Sequence, residues 1–139
     1  LSIYPDACFI HIHRDPAETI PSICSLTSQV RKGFTDHTDL NELGKKTLDF
    51  WENSKQKNEA QKNSLNNDQY MDIYYDDFIK SPLQTIEAIY ANFNFSFDEK
   101  IKELVEFNIE KSVKTHKEKH IYTLEEYGLD KKEVHNRLQ

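Results

Sequence analysis

A short apolar run that ends on an arginine and leads directly into a helix start constrains the fold more than any other feature of this sequence. Residues 7–13 (ACFIHIH) are rich in strand formers, which predicts a buried strand closed by Arg14. The following Asp15 is suited to cap a helix, and Pro16 fits the first helical position. We therefore expect a strand, a tight turn and a helix that continues to about Gln29.

The rest of the chain alternates the same two kinds of element. Residues 70–75 (YMDIYY) predict a second strand. Apolar residues at helical spacing predict further helices over residues 40–59, 82–93 and 99–109, and a last one after Asp130. Two stretches without that spacing are expected to be loops, namely residues 58–68 and 111–120. Strands that alternate with helices indicate an α/β fold with a parallel sheet. Two strands are too few for an independent sheet, so we expect the others upstream of Leu1.

Composition limits the kind of partner. The chain of 139 residues has a formal net charge of −6, which argues against nucleic acid as a partner because such proteins are usually basic. A local basic site could still hold a small anion against that net charge. No apolar run approaches the ~20 residues of a membrane helix, so no membrane span is expected. Cys8 and Cys24 are interpreted as small core residues and not as a disulfide framework.

Arg14 and Ser22 form the first candidate binding pair. An arginine at the carboxyl end of a buried strand lies where open α/β sheets bind ligands, and its guanidinium matches phosphate with two parallel hydrogen bonds. Ser22 follows roughly 10 Å further along the helix axis, so the two side chains could hold one phosphate along the helix flank. Pro21 would either tilt Ser22 relative to Arg14 or be tolerated at some cost in stability. The alternative for Arg14 is an ion pair with Asp15 or Glu18.

Three segments together resemble the sulfotransferase family, whose members use 3′-phosphoadenosine 5′-phosphosulfate (PAPS) as the sulfate donor. Residues 4–26 (YPDACFIHIHRDPAETIPSICSL) resemble the segment that binds the donor's 3′-phosphate, with Arg14 and Ser22 at the two positions that hold it. Residues 73–90 (IYYDDFIKSPLQTIEAIY) resemble the family's Tyr-Glu-Asp strand end and the helix after it. Residues 120–129 (HIYTLEEYGL) resemble a C-terminal segment of one broad branch.

The same resemblance implies further contacts with the donor. Tyr75 matches the tyrosine on the adenine side of the nucleotide, although on composition alone a tyrosine at a strand end is more often a core residue. In related enzymes a basic residue from a late loop reaches the 3′-phosphate, and Lys119 and His120 in the basic run of residues 114–120 are the candidates here. The alternative for that run is a solvated charged loop.

His11 and His13 alternate onto one face of the first predicted strand. Two such histidines could ligate a metal, but no third ligand lies at a recognisable spacing, and a zinc site needs three or four. We expect both rings to face the covered surface of the sheet and to form hydrogen bonds there. No metal site is predicted, and the resemblance implies none.

The resemblance implies transfer of a sulfuryl group from PAPS to a hydroxyl or amine of a small-molecule, glycan or peptide acceptor. The family's phosphosulfate-binding loop, catalytic base and leaving-group lysines come earlier, and no residue here matches them, so no catalytic residue is assigned. Residues 1–139 are therefore interpreted as the helix-rich C-terminal part of one P-loop-like domain, a parallel sheet flanked by helices. This part is not expected to catalyse transfer alone.

Two alternative functions stay open at this point. The chain could be part of a P-loop kinase whose nucleotide loop lies upstream, or a non-catalytic, degenerate nucleotide-binding module that keeps the fold. For the compartment, the cytoplasm is favoured, with the Golgi lumen as the alternative if an anchor precedes Leu1. No oligomeric state is predicted.

Overall fold

The computed structural model describes residues 3–114 and 122–139, which fall into two compact units. Unit 1 contains the described residues of 3–13 and 64–114, and unit 2 contains those of 14–63 and 122–139. Helices predominate in both units, as the sequence predicted. Within the described residues, no helix is both long and apolar enough to cross a membrane.

Unit 1 is built on a parallel strand pair. Strands β1 (Phe9–His13) and β2 (Tyr70–Tyr74) pair in register from Phe9↔Tyr70 to His13↔Tyr74, which confirms the expected parallel sheet. Ile73 of β2 is buried, but Ile10 and Ile12 of β1 are 46% and 56% exposed. The prediction that β1 is buried is therefore wrong for the part of the chain that the structure describes. Burial of such a strand needs cover on both faces.

Helices α3 (Tyr75–Lys80), α4 (Pro82–Asn92) and α5 (Glu99–Lys114) follow β2 in unit 1. Helix α3 was not predicted, and α5 continues through residues 111–114, where the sequence suggested a loop. The Asp98 side chain starts α5 by accepting a hydrogen bond of 2.9 Å from the Ile101 amide. Between α4 and α5, Tyr90 meets Phe97 edge to face with ring centroids 5.0 Å apart, which packs the end of one helix against the approach to the next.

Unit 2 packs three helices around one apolar core. They are α1 (Pro16–Arg31), α2 (Leu40–Lys62) and α6 (Lys131–Leu138), joined by a 3₁₀ turn, Glu125–Tyr127. The core is formed by Ile20, Cys24, Leu43, Leu48, Leu124, Tyr127, Leu129 and Val134. Helix α2 extends past the predicted residue 59, so the expected loop begins later. Trp51 on α2 is 40% exposed, and Cys8, which the sequence analysis interpreted as a core residue, is also exposed.

A close approach between backbones holds α2 against the 3₁₀ turn. A Cβ atom placed on Gly44 would lie 2.2 Å from the Tyr127 carbonyl oxygen and 2.9 Å from the Tyr127 Cβ. Only a residue without a side chain allows this approach. Gly128, the next residue after that turn, has φ +64°, a left-handed conformation that glycine adopts without strain.

We predict that Gly44→Ala destabilises the protein by about 1–3 kcal/mol, the typical cost of overpacking a core. Alanine has the better helix propensity by about 1 kcal/mol, so the clash with the Tyr127 backbone must exceed that gain. Urea unfolding measures the difference. The matched control is Gly33→Ala, where the new Cβ would meet its nearest atom, the Val30 carbonyl oxygen, at 3.4 Å and stability should hardly change. Equal stability of both variants and the wild type would contradict the prediction.

Candidate functional site

The candidate site begins at the amino end of α1, where Asp15 caps the helix as predicted. Its Oδ1 accepts a hydrogen bond of 2.8 Å from the Ala17 amide and lies 2.8 Å from Nε2 of His135 on α6. Partial burial opposes ionisation of this carboxylate, but the contacts with His135 and the Ala17 amide outweigh it, so the pKa of Asp15 is lowered from 3.8. An ionised Asp15 therefore joins the start of α1 to α6.

Arg14 lies directly before this cap and is exposed. Its Nε and Nη2 atoms donate hydrogen bonds of 3.3 and 2.9 Å to one oxygen of Glu18. The alternative interpretation of Arg14, an ion pair with Glu18, is thus present in the structure. Because the side chains of Arg14 and Glu18 are 41% and 50% exposed, such a pair contributes only about 0–1 kcal/mol. The guanidinium is therefore accessible to solvent, and its ion pair with Glu18 is weak.

Ser22 is exposed on α1, eight residues after Arg14. Glu18 lies midway between them, and residues four apart share one face of a helix. Pro21, in contrast, is buried, and α1 continues through it to Arg31 without interruption. The Pro21 ring is thus buried at a position where the helix lacks one backbone hydrogen bond, because proline has no N–H to donate. Ser22 lies on α1 and Arg14 directly precedes that helix, and both residues belong to unit 2.

The other predicted donor contacts are distributed differently along the chain. Tyr75 is half-buried and opens α3 directly after β2, so it follows a strand end as expected, and it belongs to unit 1. Lys119 and His120 lie outside the described residues. The structure therefore describes three of the five predicted site residues, with Ser22 on α1 and Arg14 directly before the cap of that helix.

Sequence reasoning missed the residues that hold this flank in position. His135, which contacts Asp15, is 120 residues away in the chain, so no local pattern connects them. Arg137 fastens α6 to α2 by donating hydrogen bonds of 2.6 Å to Asp49 and 2.6 Å to Glu52. These hydrogen bonds raise the pKa of Arg137 further, so its charge is permanent. One sequence feature could have indicated these contacts: a histidine and an arginine lie in the last turn of α6, where basic side chains are favoured.

Comparisons with known proteins agree on one family. A family model described as "Sulfotransferase family" matches residues 1–99. A solved sulfotransferase from Mycobacterium tuberculosis is similar with a TM-score of 0.82 and 25% identity over 99% of this chain and 34% of its own. One from Mycobacterium avium, at 19% identity over 98% of this chain and 35% of its own, shares the fold with a TM-score of 0.82. The chain thus spans about a third of the length of each of these structures. A search of curated proteins found no match.

We predict that the contribution of Asp15 to stability disappears in acid. Because the folded state lowers its pKa below 3.8, the contribution is complete above the unfolded value and is lost as the pH falls through the folded one. Asparagine still caps a helix, so Asp15→Asn removes mainly the charge. The wild type should exceed this variant by at most about 1 kcal/mol at pH 7, since the carboxylate is partly exposed. Denaturant unfolding should show the difference shrinking below about pH 4.

The variant His135→Gln tests the cause of the lowered pKa. It removes the imidazole that contacts Asp15, so the extra stability from Asp15 at neutral pH should become smaller in this background. A stability difference between the wild type and Asp15→Asn that stays constant from pH 7 to pH 3 would contradict the prediction.

Proposed function

Because this chain belongs to the sulfotransferase family, we propose that it carries the 3′-phosphate side of the donor site in an enzyme that transfers a sulfuryl group from PAPS to an acceptor. The observation that carries the proposal is the accessible guanidinium of Arg14 directly before α1, together with the exposed Ser22 within that helix. Both residues lie inside the segment that matches the family, residues 1–99.

The present contact of Arg14 shows the chemistry that this position favours. Two adjacent N–H groups, Nε and Nη2, already converge on one oxygen of an anion, the Glu18 carboxylate. A phosphate carries more charge than a carboxylate and accepts the same paired hydrogen bonds. A 3′-phosphate would therefore replace Glu18 as the partner of Arg14, while the Ser22 hydroxyl donates to another phosphate oxygen.

The remaining predicted contacts keep the roles that the family resemblance gave them. Tyr75, at the end of β2, would contact the adenine side of the nucleotide, since aromatic rings stack on bases. Lys119 and His120 are the proposed late basic contacts with the 3′-phosphate. All five residues bind and orient the donor, and none of them takes part in a bond-breaking step.

The proposed reaction of the whole protein is an in-line transfer. A hydroxyl or amine of a small-molecule, glycan or peptide acceptor attacks sulfur and gives up its proton to a base. The bond between sulfur and the bridging oxygen breaks, and 3′-phosphoadenosine 5′-phosphate (PAP) leaves. Positioning and electrostatics dominate such transfers, so the contribution of this chain is to fix the donor in place.

We predict that Arg14→Ala weakens the binding of PAP to the full-length protein by about 1.5–3 kcal/mol, the range for a hydrogen bond to a charged group. Binding of 5′-AMP, which lacks the 3′-phosphate, should hardly change. Calorimetric titration of both nucleotides against both proteins isolates the contact with the 3′-phosphate. The control is Arg31→Ala, which removes an exposed arginine at the other end of α1 and should affect neither nucleotide.

The outcomes separate the competing functions. Equal losses for PAP and 5′-AMP would remove Arg14 from the 3′-phosphate site. Tight binding of ATP with weak binding of PAP would favour the kinase alternative. Binding of PAP without sulfuryl transfer to any acceptor would favour a non-catalytic module.

We further predict that Glu18→Gln strengthens PAP binding by about 1.4- to 5-fold, equivalent to the 0.2–1 kcal/mol of an exposed ion pair. The substitution removes the carboxylate that competes for Arg14 and, with it, a negative charge next to the bound phosphate. The matched control is Glu42→Gln, which likewise removes a first-turn acid from an ion pair between residues four apart, here with Lys46 at 2.6 Å. Unchanged or weaker PAP binding in Glu18→Gln alone would show that Glu18 does not compete for Arg14.

A further inference from the structure

The pairing of β1 with β2 brings together side chains that the sequence separates. In the parallel register His11 is opposite Asp72 and His13 is opposite Tyr74. Alternate residues of a strand point to the same face, so both histidines and Asp72 share one face of the sheet. The third ligand that the sequence did not reveal is thus supplied by the neighbouring strand of unit 1.

These three side chains converge. Nε2 of His13 lies 2.6 Å from Oδ1 of Asp72, and Nδ1 of His11 lies 3.8 Å from the same oxygen. All three potential ligand atoms fall within 4.8 Å of one another. The side chains of His11, His13 and Asp72 are 41%, 37% and 30% exposed, so an ion from solvent can reach them.

We propose that His11, His13 and Asp72 form a binding site for one divalent transition-metal ion of the zinc type. Two imidazoles and a carboxylate are a donor set that suits zinc and its neighbours and disfavours magnesium or calcium, which prefer oxygen ligands. Three protein ligands leave at least one coordination position for water.

The geometry needs only side-chain adjustment to accept the ion. Ligand atoms in a tetrahedral site with bonds of about 2.0–2.1 Å lie roughly 3.3 Å apart. The His13–Asp72 distance of 2.6 Å must therefore open slightly, and the His11–Asp72 distance of 3.8 Å must close slightly. The hydroxyl of Tyr70, now 2.7 Å from Nδ1 of His11, would give up that nitrogen to the ion.

Aromatic neighbours already restrict the two imidazole rings. Tyr74 stacks on His13 with ring centroids 5.1 Å apart, and Tyr70 meets His11 edge to face at 6.3 Å. The rings of His11 and His13 are themselves 4.2 Å apart. Groups that fix the orientation of a metal ligand raise its affinity, so the site is partly preorganised. The ion would cross-link β1 and β2, and the proposal is independent of the proposed transfer, whose steps assign no role to a metal.

The test is calorimetric titration of Zn²⁺ into the full-length protein after removal of any polyhistidine tag. One zinc per chain is expected. His11→Gln, His13→Gln and Asp72→Asn should each weaken binding by at least about 10-fold, since even groups that only orient ligands contribute about 10- to 100-fold. Zinc should also raise the Tm of the wild type more than that of the variants, because an ion that binds only the folded state stabilises it.

The matched control is His37→Gln, which removes an exposed histidine outside this cluster and should leave zinc binding unchanged. Asp72→Asn keeps the shape of the side chain, so this variant is informative even if a histidine variant fails to fold. Co²⁺ provides a second readout, since its visible absorption reports the ligands around it. Absence of zinc binding, or undiminished binding in these three variants, would overturn the proposal and leave the His13–Asp72 contact as a hydrogen bond only.

Discussion

The hydrogen bonds of the Asp15 carboxylate hold the helix start that carries the candidate phosphate site. Asp15 accepts a hydrogen bond from the Ala17 amide and thereby caps α1. It also contacts His135 of α6, near the other end of the chain. The start of α1 cannot move relative to α6 without losing one of these contacts. Arg137 then fastens α6 to α2 through a pair of carboxylates. Arg14, one residue before the cap, therefore begins from a backbone position that the core of unit 2 defines.

The sequence predicted well wherever a short stretch determines its own structure. The cap at Asp15, the proline start of α1 and the strand before Arg14 are all local signals, and the structure confirms them. Helix α3 was missed because six residues are too few to display helical periodicity. Trp51 continues the apolar stripe of α2 but is 40% exposed, whereas Leu43 and Leu48 on the same helix are buried. Periodicity identifies a face of a helix, whereas burial depends on what packs against that face.

Arg14 shows a second limit of sequence reasoning. Both interpretations of this arginine, an ion pair with Glu18 and a phosphate contact, follow from the same spacing, and the structure displays the first. Under the proposed function they would be successive states and not rival ones, since an exposed carboxylate and a phosphate can exchange on one guanidinium. Glu18 would then occupy Arg14 while no donor is bound, and the affinity for the donor would depend on how much more strongly Arg14 binds the phosphate than the Glu18 carboxylate.

Pairing between strands that are distant in the chain is the third feature that the sequence did not predict. The cluster of His11, His13 and Asp72 illustrates it. Asp72 could not be recognised as a partner of His13, because the two lie 59 positions apart and no pattern between them fixes the register of two parallel strands. Once the register is known, the same contact serves two states. Without an ion, Nε2–H of His13 donates to the Asp72 carboxylate; with an ion, the ring would carry its proton on Nδ1 instead, so that Nε2 and the carboxylate oxygen would both become ligands. A hydrogen bond that already aligns a donor nitrogen with a carboxylate oxygen therefore lowers the reorganisation needed for metal binding. The ion would then hold together a strand pair whose outer residues are otherwise exposed.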